Sequence, residues 1–94
     1  MTAPVTILLP GVLRAEADGQ SSLTVDATGS LRAVLDAVAA TWPRLDRRLR
    51  DEQGAVRRYV NIYVDGEDCR RSGGLETEVP PGAEIQVLPS VAGG

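Results

Sequence analysis

Histidine, lysine and phenylalanine are absent from this chain of 94 residues, and cysteine occurs once, at Cys69. Without histidine, the Ser-His-Asp and Cys-His catalytic arrangements are excluded. A single cysteine leaves no internal disulfide, no multi-cysteine zinc site and no all-cysteine iron–sulfur cluster. All ten basic residues are arginine, so no side-chain amine is present to form a Schiff base or accept an isopeptide bond. Excess charge of one sign is also lacking. The 13 acids and 10 bases give a formal charge of −3, a weak basis for attraction to phosphate backbones or anionic lipid. Neither nucleic acid nor membrane is expected as a partner. No stretch nears the roughly 20 apolar residues of a membrane span. Met1 to Pro10 lacks the basic start and long apolar run of a signal peptide, so a cytoplasmic location is expected.

Aromatic residues are few, one tryptophan and two tyrosines, yet hydrophobic residues make up 43% of the chain. That fraction is ordinary for a globular domain, and the expected interior is Val, Leu and Ile. The length suits one domain, because a second core would be starved of apolar surface.

Periodicity divides the chain into elements. "VTILL" (Val5 to Leu9) is a short β-branched run ended by Pro10-Gly11, which fits a buried strand. "VLRAEADGQS" is polar and holds Asp18-Gly19, so a long hairpin connection is expected there. "SLTV" (Ser22 to Val25) alternates as a half-wet strand and should pair with the first. Leu31, Val34, Leu35 and Val38 then fall at i, i+3, i+4 and i+7, one stripe of the main helix. Thr28 or Ser30 is the expected N-cap, and Pro43 limits the helix at its other end, where Trp42 is expected to cap the core. "PRLDRRLR" adds one short amphipathic turn through Leu45 and Leu49, with its arginines expected in solvent.

In "RRYVNIYVDGED", Val60, Ile62 and Val64 alternate with Tyr59, Asn61 and Tyr63, and Asp65-Gly66 supplies a tight hairpin turn. "GGLETEV" carries glycine turns and a brief alternating run. "PPGA" suits a type II turn with Pro81 and Gly82 at its centre. "EIQVLP" (Glu84 to Pro89) is the last strand, with Ile85, Val87 and Pro89 expected on one face. The fold class is therefore α+β, a mixed sheet of four to five strands curled around one main helix that needs the sheet to bury its stripe.

Beyond that domain, Ser90 to Gly94 has no packing role in this reading. Extended at about 3.3–3.6 Å per residue, five residues span roughly 17 Å, against a radius of gyration of roughly 12 Å for such a chain. The end can enter another protein's active site while the domain stays outside. Gly93 and Gly94 have no Cβ and pass where other residues would be blocked; Ala92 and Val91 follow them in. A free carboxylate is a poor electrophile until it is joined to AMP. The internal Gly73-Gly74 offers no carboxylate and is read as a turn.

The ending, with "PGVLR", "YVNIYVDGEDCRRSGGLETEV" and "PPGAEIQVLPSVAGG", resembles the ThiS/MoaD family of ubiquitin-like sulfur carriers, and within it the CysO-type carriers of cysteine synthesis. The resemblance covers almost the whole chain. It implies a ubiquitin-like β-grasp domain over 1–89 and a flexible diglycine tail over 90–94. It further implies that an E1-like enzyme uses ATP and magnesium to adenylate the Gly94 carboxylate, and that sulfur then replaces the AMP. The resulting thiocarboxylate is a soft nucleophile held covalently. In the CysO-type branch its acceptor is an aminoacrylate made from O-phosphoserine on a PLP-dependent synthase, and a zinc peptidase releases the cysteine. PLP, zinc and ATP belong to the partners, and the chain itself is a co-substrate with no catalytic residues.

Leu88, Tyr59 and Tyr63, with Val91, form the candidate patch on which an activating enzyme docks, cross-strand packing being the competing account. Arg57 and Arg58, like Arg70 and Arg71, either meet acidic residues of a partner or are solvated strand ends. Cys69 is read as a small semi-buried apolar residue rather than a sulfur relay. Two departures from the family pattern stand out: Pro80-Pro81 replaces a more polar turn, and Cys69 is not a position the family's chemistry uses. Other routes for the same carboxylate remain open at this point: another sulfur-containing metabolite such as a thiosugar, a molybdopterin synthase small subunit, or a modifier conjugated through Gly94.

Overall fold

The computed structural model describes residues 3–89; the tail expected over 90–94, with Val91, Ala92, Gly93 and Gly94, lies outside the described residues. Strands β1 (Val5–Leu8) and β2 (Ser22–Val25) form an antiparallel hairpin with Ile7 opposite Leu23. The connection between them is not plain loop. Gly11–Ala17 winds into a 3-10 helix that buries Leu13 and Ala17, and Asp18 and Gly19 close it with positive φ angles of 53° and 79°. Leu13 and Ala17 are the side chains that pin it to the core, while Val12 stays exposed.

A two-residue strand, β3 (Gly29–Ser30), leads into helix α1 (Leu31–Thr41). Of the two candidate caps, Ser30 is used: its Oγ accepts from the Ala33 N–H at 3.1 Å, satisfying one of the free donors of the first turn. Leu31, Val34, Leu35 and Val38 are all buried, as the stripe requires. At Trp42 the backbone leaves the helix, and Pro43, whose missing N–H costs nothing at a first helical position, starts a second helix, α2 (Pro43–Leu49). Trp42 packs half-buried against the core. Leu45 and Leu49 are fully buried.

The expectation that the arginines of this segment face solvent fails for Arg50. Its guanidinium bonds Asp46 at 2.7 Å and Asp36 at 2.9 Å, with only 8% of the side chain exposed. Burial alone would lower its pKa, but hydrogen bonds and charge from the two carboxylates outweigh this and hold it above its ordinary value. Two acceptors, one on each helix, make the buried position tolerable.

Strand β4 (Val60–Val64) turns at Asp65-Gly66, both at positive φ, into the two-residue β5 (Glu67–Asp68). Positive φ at both central positions is the hairpin geometry that an Asp-Gly pair favours. Asp68 caps the one-turn helix α3 (Cys69–Ser72) through the Arg70 N–H. Gly73 and Gly74, at φ 120° and 62°, reverse the chain, which is the turn role expected of them. Strand β6 (Glu78–Val79) pairs with β3, and the Pro80–Ala83 turn, with Gly82 at φ 79°, leads into β7 (Glu84–Pro89).

The main sheet has the order β2-β1-β7-β4-β5. β7 lies parallel to β1 and antiparallel to β4, so the last strand occupies the middle. Val5, Ile7, Ile62, Val64, Ile85 and Val87 are buried in one core cluster with the apolar stripe of α1 and with Leu45 and Leu49 of α2. Pro89 departs from the Ile85–Val87 row: it is exposed, at the point where the strand leaves the core.

Candidate functional site

Because β7 is central, the chain leaves the domain between β1 and β4 rather than from a sheet edge. Its last described residues are held by pairing, Leu88 with Asn61 and Pro89 with Val60. Around this exit the surface becomes apolar. The large hydrophobic side chains that remain exposed among the described residues are Val12 (66%), Tyr59 (54%) and Leu88 (38%). All of them line one groove of about 200 Å³, completed by Leu13, Arg48, Val60, Val87 and Pro89. Leu88 is also a wall of a second depression, of about 340 Å³, on the β1 side, with Leu8, Pro10, Arg14 and Gln86. Scattered exposed hydrophobics need no explanation, but a cluster at one end of a small domain marks a contact surface.

Local sequence explains each wall. Pro10-Gly11 turns the chain so that the 3-10 helix sends Leu13 inward and leaves Val12 outward. Residues 57–60 form a turn closed by the Val60 N–H donating to the Arg57 carbonyl at 3.0 Å, and Tyr59 sits at its tip rather than within β4. Alternation along β7 buries Val87 and turns Leu88 to solvent.

The expected docking residues therefore divide. Tyr59 and Leu88 share the groove. Tyr63 does not: it stands on the outer sheet face, paired with Gln86 and Asp68, beside Gly66, Glu67 and Arg71. Arg57 is anchored rather than free to swing, because its Nε donates to the Arg47 carbonyl at 2.7 Å, and it does not line the groove. Arg58 is exposed near the groove but does not line it. Val12, Leu13 and Arg48 were not singled out from sequence. The first two belong to the "PGVLR" segment, where an apolar pair after Pro-Gly was the available signal; nothing local distinguished Arg48 from its neighbours.

Cys69 is buried rather than semi-buried, at 1% exposure. Burial, aided by the charge of Asp68, pushes its thiol pKa up, which disfavours the thiolate that sulfur exchange requires. A larger cleft, of about 440 Å³, lies against α2 and the 51–54 loop, lined by Asp36, Asp46 and Arg50. Arg50 is already paired with both carboxylates, and the cleft shares no lining residue with the groove at the β7 exit. Among the described residues no group of His, Cys, Asp or Glu is placed to hold a metal ion, and no helix is long and apolar enough to cross a membrane.

A mixed sheet wrapped on one principal helix, with the last strand in its centre, defines a ubiquitin-like β-grasp protein. Residues 7–94 match the ThiS family model, and the chain belongs to that family. It is 43% identical over 93 residues to the sulfur carrier protein CysO of Mycobacterium tuberculosis, covering 96% of this chain and 98% of that protein. The crystal structure of M. tuberculosis CysO superposes with a TM-score of 0.84 at 38% identity, covering 93% of this chain and 99% of that one. CysO in the Amycolatopsis orientalis BexX/CysO complex gives 0.83 at 38% identity, with 96% and 99% covered.

Proposed function

We propose that the protein is a sulfur carrier whose Gly94 carboxylate is converted to a thiocarboxylate. Family membership and the CysO relatives support the carrier role. The observation that carries the reading is geometric: the central strand ends at Pro89 within an apolar groove, five residues before Gly94 in a sequence that closes with two glycines. A partner that covers the groove is thereby placed to receive the chain end, and the fold need not move.

Activation requires an E1-like enzyme. The carboxylate attacks the α-phosphorus of ATP, pyrophosphate leaves, and a sulfur nucleophile then displaces AMP from the acyl carbon. ATP with magnesium is used on that enzyme. The carrier is consumed and regenerated as a co-substrate, and it supplies no catalytic group. The solved complex of a relative with BexX supports a carrier that works by docking to partner proteins. Sulfur delivery to a PLP-dependent cysteine synthase acting on O-phosphoserine, followed by release through a zinc peptidase, is the pathway we favour, on the CysO relationship.

Incubation with ATP, sulfide and the E1-like enzyme of the same organism tests this. The expected result is an intact-mass gain matching exchange of one oxygen for sulfur, lost when Gly94 is deleted. Isopeptide conjugates, or one large subunit copurifying at fixed stoichiometry, in place of that gain would overturn it.

A further inference from the structure

We propose that Arg70 is a positioning residue for partner docking, acting through Tyr59; the inference rests on the groove being the docking surface. Arg70 lies on α3, which directly follows the edge strand β5, and its guanidinium reaches the start of the neighbouring β4 and the turn before it. Nη1 donates to Asn61 Oδ1 at 3.1 Å, while Nη2 donates to the Arg57 carbonyl at 3.0 Å and to the Val60 carbonyl at 2.8 Å. These two carbonyls bracket the turn that presents Tyr59. The same Arg57 carbonyl accepts the Val60 N–H that closes the turn.

A short turn held by one backbone bond is weakly specified, and Tyr59 at its tip is 54% exposed, with little packing of its own. On one flank the turn is tied to α2, through the Arg57 N–H to the Leu49 carbonyl at 3.0 Å and through Arg57 Nε to Arg47. Arg70 supplies the other flank. A planar guanidinium spans separated acceptors in fixed geometry, which an ammonium cannot do. Holding Tyr59 ready against Leu88 and Pro89 removes an ordering cost from binding. The neighbouring Arg71, exposed and turned toward Tyr63 and Glu67, carries the same charge without the clamp.

Steady-state adenylation by the E1-like enzyme, with the carrier as varied substrate, tests the assignment. Arg70→Ala is expected to raise KM roughly fivefold, the size of a modest interface anchor, with kcat unchanged. Hydrogen exchange at the Val60 amide should accelerate, and Arg71→Ala should alter neither. Arg70→Lys should restore KM in part, and it serves as the primary variant if Arg70→Ala does not fold. In the Tyr59→Ala background, Arg70→Ala should add nothing. A raised KM in Tyr59→Ala with wild-type KM in both Arg70 variants would overturn the clamp and leave the docking surface standing. Wild-type KM in Tyr59→Ala would remove the docking surface, and the clamp's role with it.

Discussion

Leu88 offers the most direct perturbation of the docking groove, because it forms a wall on both sides of the β7 exit. It is 38% exposed in the isolated domain. Full burial of a leucine side chain is worth about 1.5–3 kcal/mol, so covering the remaining share contributes about 0.6–1.1 kcal/mol, a three- to sevenfold factor in affinity. Alanine keeps the Cβ, which makes this an upper range for Leu88→Ala. Leu88→Glu adds the cost of desolvating a charge and should exceed it. The assay is the initial rate of ATP-dependent adenylation by the E1-like enzyme at limiting carrier, read as KM, alongside thermal melting. Thr24→Ala, on the exposed face of the distant edge strand β2, is the matched control. An unchanged KM in both Leu88 variants, or an equal rise in the Thr24 control, would refute the argument that the groove is the docking surface.

Two further outcomes concern the fold itself. Ser30→Ala removes the N-cap of α1 and is expected to cost about 1 kcal/mol, lowering the melting temperature of a domain this size by roughly 4–8 °C; an unchanged melt would show that the helix does not depend on the cap. Cys69 carries a pH signature. Its folded pKa is raised above the ordinary 9.0, first by burial and then by Asp68, so its contribution is complete below pH 9.0 and is lost as pH rises through the folded value. Urea midpoints should therefore fall more steeply above that pH in the wild type than in Cys69→Ala, and parallel profiles would contradict the assignment.

What the sequence disclosed was whatever is written in local order. The α1 stripe, its Ser30 cap, the Asp65-Gly66 turn and the Pro81-Gly82 turn each depend on residues within a few positions of one another. Strand alternation likewise separated the buried Ile62 and Val87 from the outer face. Arg50 escaped this reading because its second acceptor, Asp36, sits 14 residues away on another helix, and no periodicity marks such a pair. The two-residue strands β3, β5 and β6 are too short to carry a pattern.

The groove was half legible for a similar reason. Tyr59 and Tyr63 occupy equivalent steps of the alternation, yet the strand begins only at Val60. The preceding turn carries Tyr59 toward β7's end, while Tyr63 stays on the open sheet face. Val12, Arg48, Tyr59 and Leu88 come from separate segments and meet only when β7 inserts between β1 and β4. The diglycine end lies outside the described residues, so its expected role stays with the proposal.

The central claim is that the Gly94 carboxylate carries sulfur. The measurement that tests it most directly is the intact mass of the protein purified from its own cells, with fragmentation to place any added mass. The expected result is a fraction heavier by the difference between sulfur and oxygen, with the change confined to the C-terminal fragment that contains Gly94. A protein of unmodified mass under conditions of active sulfur assimilation, or a sulfur located on Cys69 instead, would contradict it.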